Sequence, residues 1–226
     1  MTTKEMLGRA LALPVCREGK GMDDYTITPA KLRWGHDTFE KHEPRDLFYR
    51  VATELISLAT GDVVTTFSFS VPEALAVLLQ TWNSAYYRYH KFDEVHFKKL
   101  ERLIKANQII LEKYRGLTIA TITDESRHEI ESLFHEFEDL LGPVGAAKAL
   151  HLLAPRVCPL WDRAIAKGYN LPLRRGGLNS DSYWKFLLIT QKQCLEVTQV
   201  GYPAHEKLIK LIDEYNYCTY TKQLPS

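Results

Sequence analysis

Two glycines interrupt an amphipathic helical pattern in the second half of this 226-residue chain. The run reads LLGPVGAAK over residues 140–148. The first glycine, Gly142, suits the left-handed conformation that follows a helix end. The second, Gly145, leaves the first N–H groups of the next helix uncovered, where the helix dipole favours an anion. The pattern therefore predicts two helices joined by a tight turn whose amides are exposed.

A lone carboxylate follows this turn in a basic stretch. Asp162 stands 17 residues after Gly145, in the sequence PLWDRAI, where a short helix is expected to begin. Residues 142–180 carry six lysines and arginines and no other acid, whereas residues 124–141 carry seven acids and one arginine. The formal net charge of the chain is only +1, so a nucleic-acid partner would meet a local basic patch.

The remaining patterns are helical. Apolar residues recur at three- and four-residue steps between glycine and proline punctuation, which predicts an all-α fold. Residues 1–45 predict loop with at most short helices or a small strand pair, and residues 63–69 have β-like composition without a clear hairpin partner. Besides the short helix at Asp162 and the one that follows the glycine turn, the predicted helices are 44–61, 71–90, 94–115, 124–141, one from 180 or 181 through 194 and one from 203 through 215.

The predicted helix 71–90 changes character in its second half. Flat rings alternate there with amides and a guanidinium, a mixture that can enclose a nucleobase. The alternative is a core stripe in which Trp82 and Tyr86, four residues apart, keep only their polar tips in water. The candidates for a base pocket are Gln80, Trp82, Asn83, Tyr86 and Trp161.

The cysteines and the apolar runs indicate the compartment. Four cysteines lie far apart, without the close pairs typical of zinc or iron–sulfur sites, so we expect reduced thiols and no metal. They are Cys16, Cys158, Cys194 and Cys218. No apolar run approaches the ~20 residues of a membrane span, and Lys4 and Arg9 interrupt the apolar stretch at the N-terminus. We expect an intracellular protein without a membrane partner, cytoplasmic and nucleoid-associated, or nuclear.

The run from about 70 to 165 resembles the helix-hairpin-helix superfamily of base-excision DNA glycosylases. Members carry a hairpin of the form LPGVG followed by small residues and then a catalytic aspartate. Residues 141–149 are the hairpin counterpart, with Gly142 and Pro143 in interchanged order, and Asp162 is the aspartate counterpart. The resemblance implies a two-lobed helical bundle that forms a single unit, 1–226. Residues 70–165 would form a helical barrel with the hairpin, and 1–69 and 166–226 would pack together as the second lobe.

The resemblance also implies a function. Such a protein removes a modified or mispaired base from double-stranded DNA after flipping it out, as a monomer and without a cofactor or an iron–sulfur cluster. Asp162 would stabilise the sugar cation or activate water, and Lys148, one position after the usual place of a Schiff-base lysine, would supply lyase activity. The residues expected to hold DNA are Gly142, Val144, Gly145, Ala146, Ala147, Arg163, Arg174 and Arg175.

Each feature also has a plain structural interpretation. An aspartate at a helix start is a favoured N-cap, and a helical lysine is commonly exposed to solvent. The chain could then be a non-catalytic helix-hairpin-helix module that only holds DNA, with strongly salt-dependent binding. It could also be an α-helical protein–protein adaptor in which the glycines merely end helices.

Overall fold

The computed structural model describes residues 25–43, 46–60, 70–174, 177–203 and 207–225, and these residues form helices and no strand. The all-α prediction is confirmed for this part of the chain. Residues 63–69 and most of the predicted N-terminal loop lie outside the described residues. The α-helices are α1 (Pro29–His42), α2 (Leu47–Thr60), α3 (Val71–Trp82), α4 (Ser84–Tyr87), α5 (Glu94–Ala106), α6 (Gln108–Gly116), α7 (Arg127–Leu153), α8 (Arg163–Gly168), α9 (Ser180–Gln199) and α10 (Leu208–Asn216).

Three short turns complete the described structure. Two 3₁₀ turns, Ile119–Thr121 and Asp124–Ser126, precede α7, and a π-helical turn, Tyr217–Thr221, follows α10. None of the described helices combines the length and the apolar character needed to span a bilayer.

The prediction of loop before residue 45 is wrong for α1. The Thr28 hydroxyl accepts a hydrogen bond from the Lys31 amide, and Pro29 occupies the first turn, so a capped 14-residue helix begins there. Gly35, which suggested a break, lies inside this helix. A Cβ at this position would come within 2.6 Å of the Tyr215 Cα. The glycine therefore permits the close crossing of α1 and α10.

Two predicted helices are each broken by an asparagine. The helix predicted for 94–115 ends at Ala106, where the Asn107 side chain donates to the Leu103 carbonyl (3.0 Å) and to Glu136 (2.8 Å). The helix predicted for 71–90 ends at Trp82, and Asn83 separates it from α4. Amide side chains that bond to the backbone compete with helix continuation.

The first half of α7 is buried in the core. Phe134, Phe137 and Leu141 are fully buried, and α7 contacts α2, α3, α4, α5 and α9. α2 packs against α3, while α1 packs against α10 and the π turn. This arrangement brings α3, α8 and α10 around the second half of α7, where the candidate residues lie.

Substitution of Gly145 tests how tightly the residues around the second half of α7 are packed. A Cβ at Gly145 would lie 2.6 Å from the Asn83 amide nitrogen and 3.0 Å from the Leu141 Cβ, so Gly145→Ala should lower the free energy of unfolding by about 1–3 kcal/mol. Gly116 is the matched control: it ends α6 with nothing within 4 Å of an added Cβ, so Gly116→Ala should be neutral or stabilise by about 0.5 kcal/mol. Urea unfolding of both variants checks this, and equal midpoints would contradict it.

Candidate functional site

The glycine turn is tighter than the hairpin that the sequence predicted. Gly142 has φ +71° and ψ 166°, and it is the non-helical residue inside α7, so the helix kinks there and resumes at Pro143. Only glycine adopts this conformation without strain. A Cβ at Gly142 would also lie 2.9 Å from the Tyr86 ring, so the side of the kink facing α4 is filled.

Asn83, between α3 and α4, and Tyr86, within α4, hold the kink. The Tyr86 hydroxyl donates to the Leu140 carbonyl (3.2 Å), and the Asn83 amide donates to the Leu141 carbonyl (3.4 Å). These carbonyls end the first half of α7, where a helix leaves its last C=O groups without intrahelical partners. Asn83 and Tyr86 therefore complete the backbone hydrogen bonding that the kink interrupts.

Lys148 makes the reverse connection. Its Nζ donates to the carbonyl of Trp82, the last residue of α3, and lies 4.7 Å from the centre of the Trp82 indole ring. Burial lowers the pKa of Lys148 from 10.5 to about 8, against the opposing effect of the Asp213 and Asp162 carboxylates. At pH 7 roughly a tenth of the amine is neutral. The expectation of an ordinary exposed helix lysine is wrong for this residue.

Asp162 is the N-cap of α8. One carboxylate oxygen accepts the Ile165 amide (2.8 Å), and the other accepts the Thr221 hydroxyl (2.7 Å). The side chain is half-buried. The structural interpretation of this aspartate as a cap is confirmed, and the charge of the same carboxylate acts on Lys148.

A further carboxylate on α10 belongs to this region and was missed by sequence reasoning. The pKa of Asp213 is raised to about 7, mainly by burial and in part by the carboxylates of Glu214, Asp162 and Asp46, while Lys210 opposes the rise. A signal was present in the sequence, because Lys210, Asp213 and Glu214 have helical i, i+3 and i+4 spacing within an otherwise apolar helix.

Lys210 is surrounded by acids. Its Nζ lies 3.2 Å from Asp46, 3.7 Å from Asp213 and 3.5 Å from Glu214. Burial alone would lower the pKa of Lys210, but these three carboxylates raise it above its ordinary value. Lys210 therefore stays charged at pH values at which part of the Lys148 amine is already neutral.

The residues predicted to hold DNA divide into two groups. Gly145, Ala146 and Ala147 are buried, so the prediction that these amides are exposed is wrong: α7 resumes directly after the kink, and Asn83 covers Gly145. The other described residues of this set are partly or fully exposed, and Arg175 lies outside the described residues. Gly142 and Val144 are half-buried, and Arg163 and Arg174 are exposed.

The five base-pocket candidates lie in different environments. Gln80 is exposed and Asn83 is buried on the kink. The Trp161 indole N–H donates to the Pro143 carbonyl (3.1 Å), and its ring is buried in the aromatic core against Phe134, Tyr183 and Phe186. Trp82 and Tyr86 are half-buried, and the Tyr86 hydroxyl donates to the Leu140 carbonyl, whereas the core-stripe alternative places that polar tip in water.

Two searches beyond the geometry returned nothing. Within the described ranges, no three histidines, cysteines or acids are grouped so that they could hold a metal ion. Comparison with protein-family models, curated proteins and solved structures found no match. The interpretation of the site therefore rests on its own residues.

The lowered pKa of Lys148 predicts a specific dependence of stability on pH. The folded state releases this proton near pH 8 and the unfolded state near 10.5. The free energy of unfolding therefore increases as the pH rises between these values. Over this pH window, the free energy of unfolding of the wild type should increase by on the order of 2 kcal/mol more than that of Lys148→Met. Lys167→Met, at an exposed lysine on α8, is the control and should show a constant difference from the wild type. Urea unfolding at pH 7, 8, 9 and 10 tests this, and a constant difference for Lys148→Met would contradict it.

Proposed function

We propose that this protein is a DNA N-glycosylase that uses Lys148 and Asp162 to remove a damaged or mispaired base. The observation that carries the proposal is a desolvated lysine amine that experiences the charge of a fixed carboxylate, beside a glycine kink between helices. Perturbed titratable groups of this kind gather at functional sites. The all-helical fold is the class that the sequence resemblance implies.

The chemistry follows from what each group can do. A base inside a duplex must be flipped out before it can be reached. The neutral Lys148 amine then attacks C1′ of the deoxyribose, the glycosidic bond breaks, and the base leaves with the bonding electrons and takes up a proton. The Asp162 carboxylate stabilises the positive charge that develops on the sugar. The amine gives up a proton, the C1′–O4′ bond breaks and O4′ takes up a proton, which opens the sugar ring and leaves a lysine imine. Loss of a C2′ proton then expels the 3′ phosphate by β-elimination, which nicks the strand.

The exposed cations near the site support contact with DNA. Arg163 follows Asp162 directly at the start of α8, and Arg174 lies in the loop between α8 and α9. With the N–H groups of residues 145–147 buried, these guanidiniums are the better candidates to bind phosphates next to the lesion. We propose that Arg175, one residue on, belongs to the same phosphate contact, and that the two lobes inferred from the sequence lie on either side of the duplex.

A non-catalytic helix-hairpin-helix module is the second candidate. It is favoured by the fact that both key residues have structural partners: Asp162 caps α8, and Lys148 bonds to the last carbonyl of α3. Such a module would hold duplex DNA without changing it. An experiment that separates binding from chemistry distinguishes the two candidates.

The test is base release from duplexes carrying oxidised, deaminated, alkylated or mismatched bases. For one lesion, Asp162→Asn should reduce release by about 100-fold while binding persists, because asparagine keeps the N-cap but loses the charge. Borohydride should trap a covalent adduct with the wild type. Lys148→Gln should abolish trapping, and Lys167→Gln, which removes an exposed charge from α8, should not. Retention of duplex at low salt without any base release would overturn the proposal and leave the non-catalytic module.

A further inference from the structure

The C-terminal π turn brings a hydroxyl to the candidate catalytic carboxylate. The Thr221 Oγ1 donates to an Asp162 carboxylate oxygen at 2.7 Å, across 59 residues of sequence. We propose that Thr221 is a positioning residue, which fixes the Asp162 carboxylate in the orientation that stabilises the sugar cation. This inference rests on the proposed glycosylase function and adds a residue that the sequence resemblance does not supply.

The two hydrogen bonds on Asp162 have different consequences. The Ile165 amide bond (2.8 Å) is the ordinary N-cap contact, which any aspartate at this position would make. It holds one oxygen and leaves the carboxylate able to turn about that contact. The Thr221 bond reaches the second oxygen, so both oxygens are fixed and the carboxylate plane is defined. Preorganised charge of this kind stabilises a transition state without reorganisation during the reaction.

The turn that carries Thr221 is itself fixed from two sides. The Tyr217 hydroxyl donates to Glu43 (2.8 Å), and the Cys218 thiol contacts the Gly35 carbonyl (3.6 Å). The Tyr220 ring lies directly over Gly168, where a Cβ would collide with it. The π turn thus spans from α1 to the end of α8. Single π turns are uncommon and are frequently found at functional sites.

Other charged groups act on the same carboxylate. The Asp162 charge acts on Lys148 of α7 and on Asp213 of α10, and Arg163 is its neighbour on α8. Thr221, in contrast, is an uncharged donor in direct contact. Removing its hydroxyl changes the orientation and hydrogen bonding of Asp162 while leaving those charges in place.

The experiment compares three variants of the full-length protein on the duplex that the wild type processes best. Thr221→Val keeps the side-chain shape and removes the donor, and Thr221→Ser restores the donor. Thr219→Val is the matched control, because the Thr219 hydroxyl is buried in the same turn without a hydrogen-bond partner among the described residues. Initial rates of base release between pH 5 and 9 give kcat and KM for each variant, and thermal unfolding reports folding.

Thr221→Val should lower kcat about 10-fold with KM within about twofold, since misorientation affects the transition state more than DNA binding. Thr221→Ser should recover most of the rate, and Thr219→Val should match the wild type.

The outcomes separate the two proposals. Base release by the wild type together with an unchanged kcat in Thr221→Val would overturn the role of Thr221 and leave the glycosylase proposal intact. An equal loss of kcat in Thr219→Val, or a loss in Thr221→Val that serine does not restore, would show a purely structural effect of the turn and overturn the role as well. Absence of base release by the wild type from every duplex would overturn both.

Discussion

The kink at Gly142 is the constraint on which the rest of the site depends. A helix that breaks inside the core leaves carbonyls without partners, and such groups cost about 1–3 kcal/mol each when buried and unbonded. Asn83 and Tyr86 supply donors for the carbonyls of residues 140 and 141. Because Lys148 in turn donates to the Trp82 carbonyl, the junction of α3 and α4 is tied to α7 on both sides of the kink. The position of Lys148 therefore follows from how the kink is stabilised.

Two lysines near this kink show how the environment can separate chemically identical groups. Lys210 has three carboxylates within 4 Å, and its pKa rises. Lys148 is paired with a backbone carbonyl and an indole ring, and burial lowers its pKa to about 8. Opposite shifts in neighbouring groups are the pattern by which proteins divide structural from reactive roles. Lys210 holds the carboxylates of α10 in place, and Lys148 is left with an amine that can lose its proton near physiological pH.

Local signals in the sequence were enough to predict much of the fold and the two central candidates. The N-cap at Asp162 is encoded within four residues, and it occurs in the structure. The breaks at Asn83 and Asn107 were missed because their amides bond to residues far along the chain. Thr221 was hidden for the same reason, because its contact with Asp162 exists only after the π turn has packed. Asp213 had a signal in its spacing from Lys210, but its relation to Lys148 exists only after α10 has packed.

Structural and reactive roles for Lys148 are compatible, because the bond to Trp82 orients the amine in both protonation states. An ammonium donates one of its three N–H groups to the carbonyl and is favoured by the helix dipole at the end of α3. A neutral amine still has two N–H groups, so it can keep that bond while its lone pair points elsewhere. The carbonyl has no hydrogen to donate to the lone pair, and the Trp82 indole ring covers one side of the amine. Deprotonation therefore yields a nucleophile whose direction is already restricted, which is what a Schiff-base lysine requires.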